Sequence, residues 1–558
     1  MCSFLITNII DILSKIHYIN HYMKFRGPDL TNYQIIHNIL FLHNLLHITG
    51  DFTKQPFITA NKEIVSIYNG EIYNYKSFGN YKSDGECIND LYLKHGFSFL
   101  KLLDGEFAIC IFDFRKNLLC ISSDIFATKP LWYAFENNKF GISTYKSALE
   151  RLDFNNISKL EANKYKIFNT DNFNLIYEES IFTFKLQQYK NIYDDWLKAF
   201  ENSIKKRCKD MIYPITVCLS SGYDSGAICC ALNNLKIPYK TYTILGNENE
   251  DIINKRVEIN NVEHEFINIS VNEFRDKFDY IRNNCEKYIC NKFPPTSKYS
   301  SMNGKDIHYD KACIGISVIL EMMKKKKERI YITGSGADEI ISDYGFDGKK
   351  YYSQSCFGGL FPDDLETIFP KSSKSCHCEK EYPVWFNFYE GTQESYIAKE
   401  DVISGLSGIE GRYPYLDKYV VQEFLYLLPE LKNKHYKSVI HHYLTVNNYP
   451  FIEGEKIGFE PDKNLTLEYE LSENDKKYLK RYSDVSKNSK WRNYPYLHYL
   501  KFGIKENRIY DTKKIKETHE NNNKYLSDYP DIKKTKWAKK PYDHYNKYGI
   551  YEGRKYGI

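Results

Sequence analysis

The second residue of the chain is a cysteine, preceded only by the initiator Met1. Removal of that methionine leaves a thiol and a free α-amine on one residue. An α-amine has a reference pKa of about 7.7, so near neutrality a useful fraction is unprotonated and can serve as a base. Cys2 is therefore a candidate nucleophile that carries its own base and needs no histidine. Chemistry of a second kind appears near the middle of the chain. The apolar run Pro214 to Leu219 reads as a buried strand and passes straight into Ser220-Ser221-Gly222-Tyr223-Asp224-Ser225. A strand, a turn of small residues and a helix N-terminus make a nest of backbone N–H groups aimed at an anion. Further on, Ile330 to Thr333 is another apolar strand, followed by Gly334-Ser335-Gly336-Ala337-Asp338-Glu339. Two adjacent carboxylates beside a glycine turn suit a magnesium ion that bridges nucleotide phosphates, because Mg²⁺ takes hard oxygen ligands.

The elements that must position these residues carry their own signatures. Behind Cys2 come Arg26-Gly27-Pro28-Asp29, Asn69-Gly70-Glu71-Ile72-Tyr73-Asn74, Ser83-Asp84-Gly85-Glu86, Leu103-Asp104-Gly105-Glu106-Phe107-Ala108 and Asp124-Ile125-Phe126-Ala127-Thr128-Lys129-Pro130-Leu131. In this order and spacing, the segment resembles the N-terminal-nucleophile glutaminase domain of glutamine-hydrolysing asparagine synthetases. The resemblance implies that the Asn69 side-chain amide and the Gly70 N–H form an oxyanion hole, one such donor being worth roughly 10²–10³ in rate. It also implies that Glu71 and Asp84 bind glutamine, Asp84 through the α-ammonium.

The second half resembles the ATP-pyrophosphatase domain of the same family, although Ser221 stands where the usual loop has a second glycine. If that position needs a positive φ, serine tolerates it less well than glycine. Glu410-Gly411-Arg412-Tyr413-Pro414-Tyr415-Leu416-Asp417 and Lys456-Ile457-Gly458-Phe459 match further signatures of that domain. By resemblance, Leu219, Ser220, Ser221, Gly222, Asp224, Ser225, Ile244, Thr333 and Gly334 contact ATP and its pyrophosphate. Asp224, Asp338 and Glu339 would hold Mg²⁺, and Lys456 would stabilise the leaving pyrophosphate. The implied architecture is an αββα sandwich over 1–185, then an α/β domain with a mostly parallel sheet over 190–465.

Two positions depart from the family pattern. In His43-Asn44-Leu45-Leu46-His47, Leu45 replaces an arginine that clamps the glutamine carboxylate. Loss of a buried Arg–carboxylate pair costs roughly 2–5 kcal/mol. His47, two residues on, would share a strand face with Leu45 and partly compensate when protonated. Ser335 replaces a glutamate implicated in the amide-forming step, a loss of about 10²–10⁴ in rate for a general acid or base. Glu339 is the nearest candidate to carry its proton instead.

Length and composition fit several domains with real cores: 558 residues, 42% of them hydrophobic. No apolar stretch approaches the 18 or so residues of a membrane span. The opening CSFLITNIIDIL lacks a basic n-region and includes Asp11, so it reads as a strand and helix and not as a signal peptide. The 14 cysteines show no disulfide spacing and suit a reducing, cytoplasmic compartment. Cys356 with Cys376-His377-Cys378 matches no common zinc pattern. Residues 476–558 repeat themselves. Tyr478-Leu479-x-x-Tyr482-Ser483-Asp484-Val485 returns 47 residues later as Tyr525-Leu526-x-x-Tyr529-Pro530-Asp531-Ile532, and His498-Tyr499 returns 46 residues later as His544-Tyr545. Each unit is expected to be two short amphipathic helices around tyrosines. The tail holds 22 Lys and Arg against 9 Asp and Glu, a net of +13 in a chain of +5, which suggests a polyanionic or protein partner.

Three functions fit this reading. The first is synthesis of asparagine from glutamine, aspartate and ATP through β-aspartyl-AMP, with Mg²⁺ and in a homodimer. The second is a related amide ligase using another carboxylate or free ammonia. The third is a catalytically impaired homologue that retains nucleotide binding.

Overall fold

A computed structural model describes residues 2–558 apart from 291–304, 307–309, 344, 347–348, 351–356, 358, 371–383, 456–458, 460, 462–472, 489–490, 494, 504–505, 507, 511–518, 546–555 and 557–558. Lys456 and the Cys356 and Cys376–Cys378 cluster lie outside the described residues. The chain divides into two compact units, one of 1–14 with 22–465, the other of 15–21 with 466–558.

The first unit opens with two antiparallel sheets. One holds β1 (Ser3–Thr7), β2 (Leu30–Ile36), β3 (Ile39–Leu45), β8 (Trp132–Glu136), β9 (Lys139–Ser143) and β10 (Ser158–Lys159), in the order β10-β8-β9-β1-β3-β2. The other holds β4 (Phe57–Ile58), β5 (Ile64–Ile72), β6 (Gly105–Asp113), β7 (Leu118–Ser123), β11 (Lys164–Asn169) and β12 (Leu175–Ser180), in the order β12-β11-β7-β6-β5-β4. Phe4, Ile6 and Phe41 of the first sheet pack against Ile67, Cys110 and Phe112 of the second, and together they form the layer between the sheets. The helix Cys87–His95 covers the outer face of the second sheet through Ile88, Leu91 and Tyr92. Strands β3 and β5 are buried along their whole length, their polar residues His43, Asn44, Ser66, Asn69 and Glu71 included, whereas the edge strands β2 and β12 are mostly exposed or half-buried. This is the expected αββα sandwich.

A five-stranded sheet follows, all of its pairs parallel: β13 (Ile215–Cys218), β14 (Tyr239–Ile244), β15 (His264–Ile267), β16 (Ile330–Ile332) and β17 (Glu410–Arg412), in the order β15-β14-β13-β16-β17. The chain builds outward from β13 in one direction and then in the other. The order therefore reverses between β13 and β16, and ligands of such sheets bind in the crevice at the carboxyl ends there. Helices α1 (Asp194–Arg207), α2 (Tyr223–Asn234), α3 (Gly391–Ser407) and α4 (Ser438–Val446) complete the elements that shape the site.

The second unit is a duplicated helical motif. The Tyr478 hydroxyl lies 3.0 Å from His498 Nδ1, and the Tyr525 hydroxyl lies 3.0 Å from His544 Nδ1. Tyr499 stacks on Tyr510 as Tyr545 stacks on Tyr556. Among the described residues each copy shows three short α-helices where two were expected: Glu473–Arg481, Ser483–Lys487 and Pro495–His498, then His519–Asp528, Pro530–Lys533 and Pro541–His544. Pro530 and Pro541 begin their helices because proline lacks the N–H needed to continue a preceding one.

Candidate active sites

Cys2 sits just ahead of β1, 8% exposed, with its thiol facing the Leu46 carbonyl at 3.9 Å. Burial pushes the thiol up to about 11, and the nearby carboxylates of Glu410 and Asp84 add to the shift. Asn69 and Gly70 lie within β5, not in a hairpin turn. Asn69 is fully buried, and among the described residues neither polar atom of its side-chain amide has a partner. A buried amide with both ends unfilled is a donor and an acceptor left for a ligand. Gly70 has φ +140°, and a Cβ there would stand 1.9 Å from the Glu106 carbonyl oxygen, so only glycine fits.

Three carboxylates surround this pocket. Asp84 accepts from the Tyr68 hydroxyl, from Ile72 N at 2.8 Å and from Gly85 N at 3.0 Å, and burial lifts it to about 6. Glu71 and Glu410 share one guanidinium: Arg412 lies 3.2 Å from Glu71 and 2.7 Å from Glu410. Burial raises Glu71 to about 8 against the pull of Arg412. Burial also opposes ionisation of Glu410, but positive charges that include Arg412 and Lys129 outweigh it and hold Glu410 at about 2.

The anionic character of this pocket suits an ammonium, and its cationic counterpart is missing from the expected place. Leu45 is buried and ends β3. His47 does not share its strand face, because the strand stops at Leu45; its ring lies 2.8 Å from the Gly50 carbonyl and its N–H bonds Asp29. Arg26 turns away to a buried pair with Asp401 of α3.

In the parallel-sheet domain, Ser220 to Ser225 join β13 to α2. Their polar groups bond within the protein: Ser220 N to Ser225 Oγ at 3.0 Å, Gly222 N to Ser220 Oγ at 3.3 Å, and Ser221 N to Glu248 Oε2 at 2.6 Å. A carboxylate thus stands where the loop would cradle an anion. Ser221 is not among the residues with positive φ, so the serine sits there without backbone strain. Arg256 binds the carbonyls of Ser220 and Gly222 from behind. Leu219 is held to β14 through Tyr242 O at 2.8 Å and Thr243 Oγ1 at 2.7 Å, and Ile244 is buried at the end of that strand.

The turn after β16 meets this loop. A Cβ on Gly334 would stand 2.8 Å from Asp224 Cβ, so glycine is what lets the two loops touch. Thr333 N bonds the Arg412 carbonyl at 3.0 Å, and Ser335 N bonds Thr333 Oγ1 at 3.2 Å. Asp224 and Asp338 converge on the Lys437 ammonium, at 2.6 Å and 2.8 Å. That side chain is 1% exposed, and the two carboxylates hold it charged although burial works against it. Glu339 is buried, and its carbonyl accepts from Trp385 Nε1.

The sequence carries these two sites in recognisable form. Residues 1–191 match the family described as Glutamine amidotransferase domain, and residues 195–376 match Asparagine synthase. The chain belongs to the glutamine-hydrolysing asparagine synthetase family. It is 25% identical over 452 residues to the protein of Methanocaldococcus jannaschii assigned as asparagine synthetase [glutamine-hydrolyzing] 1, covering 75% of each chain. It is 23% identical to asparagine synthetase [glutamine-hydrolyzing] 1 of Arabidopsis thaliana, over 74% of this chain and 66% of that one. With asparagine synthetase [glutamine-hydrolyzing] 2 of Bacillus subtilis the identity is 38%, over 20% of this chain and 16% of the other.

For a member of this asparagine synthetase family, several residues at the sites were not singled out by sequence. Lys437 has no motif around it and is 213 residues from Asp224. Glu248 and Arg256 act on the Ser220–Ser225 loop from across the sheet. Glu410 and Arg412 lie in a recognised signature, but nothing in their spacing says that their side chains reach the glutaminase pocket. Among the described residues, no helix is long and apolar enough to cross a membrane, and the ten cysteines whose side chains are described are free.

Proposed function

We propose that this chain makes asparagine from aspartate, with glutamine as nitrogen donor and ATP cleaved to AMP and pyrophosphate. What carries the reading is that one compact unit holds a buried Cys2 thiol and an unfilled Asn69 amide and, separately, two converging phosphate-type loops. In the first site, Cys2 attacks the glutamine amide carbon. Asn69 and the Gly70 N–H stabilise the oxyanion, and Asp84 with Glu71 holds the α-ammonium. In the second, the N–H groups of Ser220–Ser225 hold pyrophosphate once Glu248 is displaced, with Leu219, Ile244, Thr333 and Gly334 around the nucleotide. Aspartate attacks the α-phosphate to give β-aspartyl-AMP, and ammonia displaces AMP. Lys456 assists the departing pyrophosphate.

A magnesium ion suits the second site, since Asp224 and Asp338 offer hard oxygens that already converge on a cation, the Lys437 ammonium. Asp224, Asp338 and Glu339 would hold it, and it would neutralise phosphate charge. We assign the +13 tail to contact with a polyanion or an acidic protein, and place the protein in the reducing cytoplasm as a homodimer.

Mass spectrometry with glutamine labelled in its amide nitrogen tests the reading. Label should enter asparagine with one AMP per asparagine, and Cys2→Ala should abolish transfer from glutamine while keeping ammonium-dependent synthesis. AMP formation without labelled amide would reject it. A second reading, a ligase that uses ammonia directly, is favoured by Leu45 alone; it predicts equal synthesis by Cys2→Ala and the native protein on any nitrogen source.

A further inference from the structure

Ser335 stands where a glutamate is expected, yet a carboxylate occupies the turn it belongs to. It comes from α3: Glu400 accepts a hydrogen bond from Ser335 Oγ at 3.0 Å through one oxygen and from the Tyr331 hydroxyl at 2.5 Å through the other. Tyr331 lies on β16, so the strand that delivers the turn also fixes the acid. Ser335 Oγ is 3.2 Å from Thr333 Oγ1, which ties the contact to the backbone of the turn. Burial first, and then the Glu400 charge, opposes ionisation of Cys218 at the end of β13, of Tyr331 and of Tyr413, so that charge lies among all three. Its carboxylate is thereby at the carboxyl ends of β13 and β16, where the strand order reverses and where the two phosphate-type loops meet. Both neighbours are neutral hydroxyls donating to it, so it is an acceptor with lone pairs to spare. The adjacent cation, Lys399, is engaged with Asp310 at 3.1 Å. Glu339, the glutamate nearest to Ser335 in sequence, is not its partner here.

We propose that Glu400 is the general base of the amide-forming step, the carboxylate having moved from the turn to the helix that packs against it. The proposal rests on the synthetase reading above. Ammonia attacks the acyl carbon of β-aspartyl-AMP and a C–N bond forms. Glu400 takes one proton from the attacking nitrogen. The bond from the acyl carbon to the phosphate oxygen breaks, and its electron pair leaves with AMP. Nothing is oxidised or reduced, and the proton passes on to water.

The test uses the full-length protein with ammonium as nitrogen source, so that the glutaminase site plays no part. ATP–pyrophosphate exchange with aspartate reads acyl-adenylate formation; asparagine production reads the next step. Glu400→Gln should leave exchange within about threefold and lower asparagine production by about 10²–10⁴. A Ser335→Glu/Glu400→Ala variant, which puts the acid back on the turn, should recover production to within about tenfold of native, whereas Glu400→Ala alone should not. Native-like production by Glu400→Gln overturns the proposal while exchange upholds the synthetase reading. Equal loss of exchange and production in Glu400→Gln, with no recovery in the swapped variant, also overturns it and reduces Glu400 to a packing role. No exchange by the native protein defeats both.

Discussion

Lys437 is the residue whose removal should be felt most sharply. Its ammonium is buried and bonded to both oxygens of Asp224 at 2.6 Å and to Asp338 at 2.8 Å. Lys437→Met keeps the length and apolar stem but leaves the two carboxylates facing each other without the ammonium between them. Breaking a buried pair by removing one partner costs about 3–5 kcal/mol. That corresponds to roughly two to four decades in the folding equilibrium. Urea unfolding in EDTA, followed by tryptophan fluorescence, should show this loss. The cause can be separated from lost packing by adding Asp224→Asn and Asp338→Asn to Lys437→Met. Neutralising the acids should return most of the stability, because the two side chains then no longer repel each other. A loss below about 1 kcal/mol, or the same loss in the neutralised background, would refute the reasoning.

The remaining expectations concern other parts of the chain. Folded Glu71 and Asp84 hold protons up to about 8 and about 6, so between pH 5 and 8 the unfolded chain releases protons that the folded one keeps. Stability should therefore fall over that range, by at most about 1.4 kcal/mol per pH unit and group. The opposite effect of Glu410, held at about 2, is complete below it. Glu71→Gln should make the profile between pH 5 and 8 fall less steeply than the native one; identical native and Glu71→Gln profiles would contradict it. Leu45→Arg should lower the glutamine KM by at least about tenfold, from a carboxylate pair worth roughly 2–5 kcal/mol less the cost of burying the new charge. An unchanged KM means that another group already holds the carboxylate. Deleting residues 473–558 should leave both activities within about twofold, and the native chain should bind duplex DNA with a log–log salt slope near −0.9 per phosphate contacted. No binding at low salt would leave the lysines as a solvated coat.

How far the sequence could be read depended on whether a residue's role was local. Gly70 was recognisable because its positive φ and the Glu106 carbonyl at its back admit nothing else. Ser220–Ser225 was recognisable because strand, small turn and helix are contiguous. The tandem repeat was visible in its period, and the Tyr478–His498 and Tyr525–His544 contacts repeat with it. What stayed hidden depends on residues far apart in the chain. Lys437 meets Asp224, Arg412 meets Glu71, and Glu400 meets Ser335 only once the sheets and α3 are assembled. The misplacement of His47 has a local cause: β3 ends two residues earlier than a simple alternation supposes, so the ring points to Gly50. Ser221 was suspected of strain, and its ordinary φ removes that suspicion.

ATP–pyrophosphate exchange by the native protein, run with Mg²⁺ and a panel of carboxylic acids, tests the central claim most directly. Exchange requires the Ser220–Ser225 loop, the Gly334 turn and a carboxylate nucleophile to act together, and it needs neither Cys2 nor ammonia. Exchange stimulated by aspartate and abolished by Asp224→Ala is the expected result. Exchange with a different acid alone, or none with any, would contradict the account.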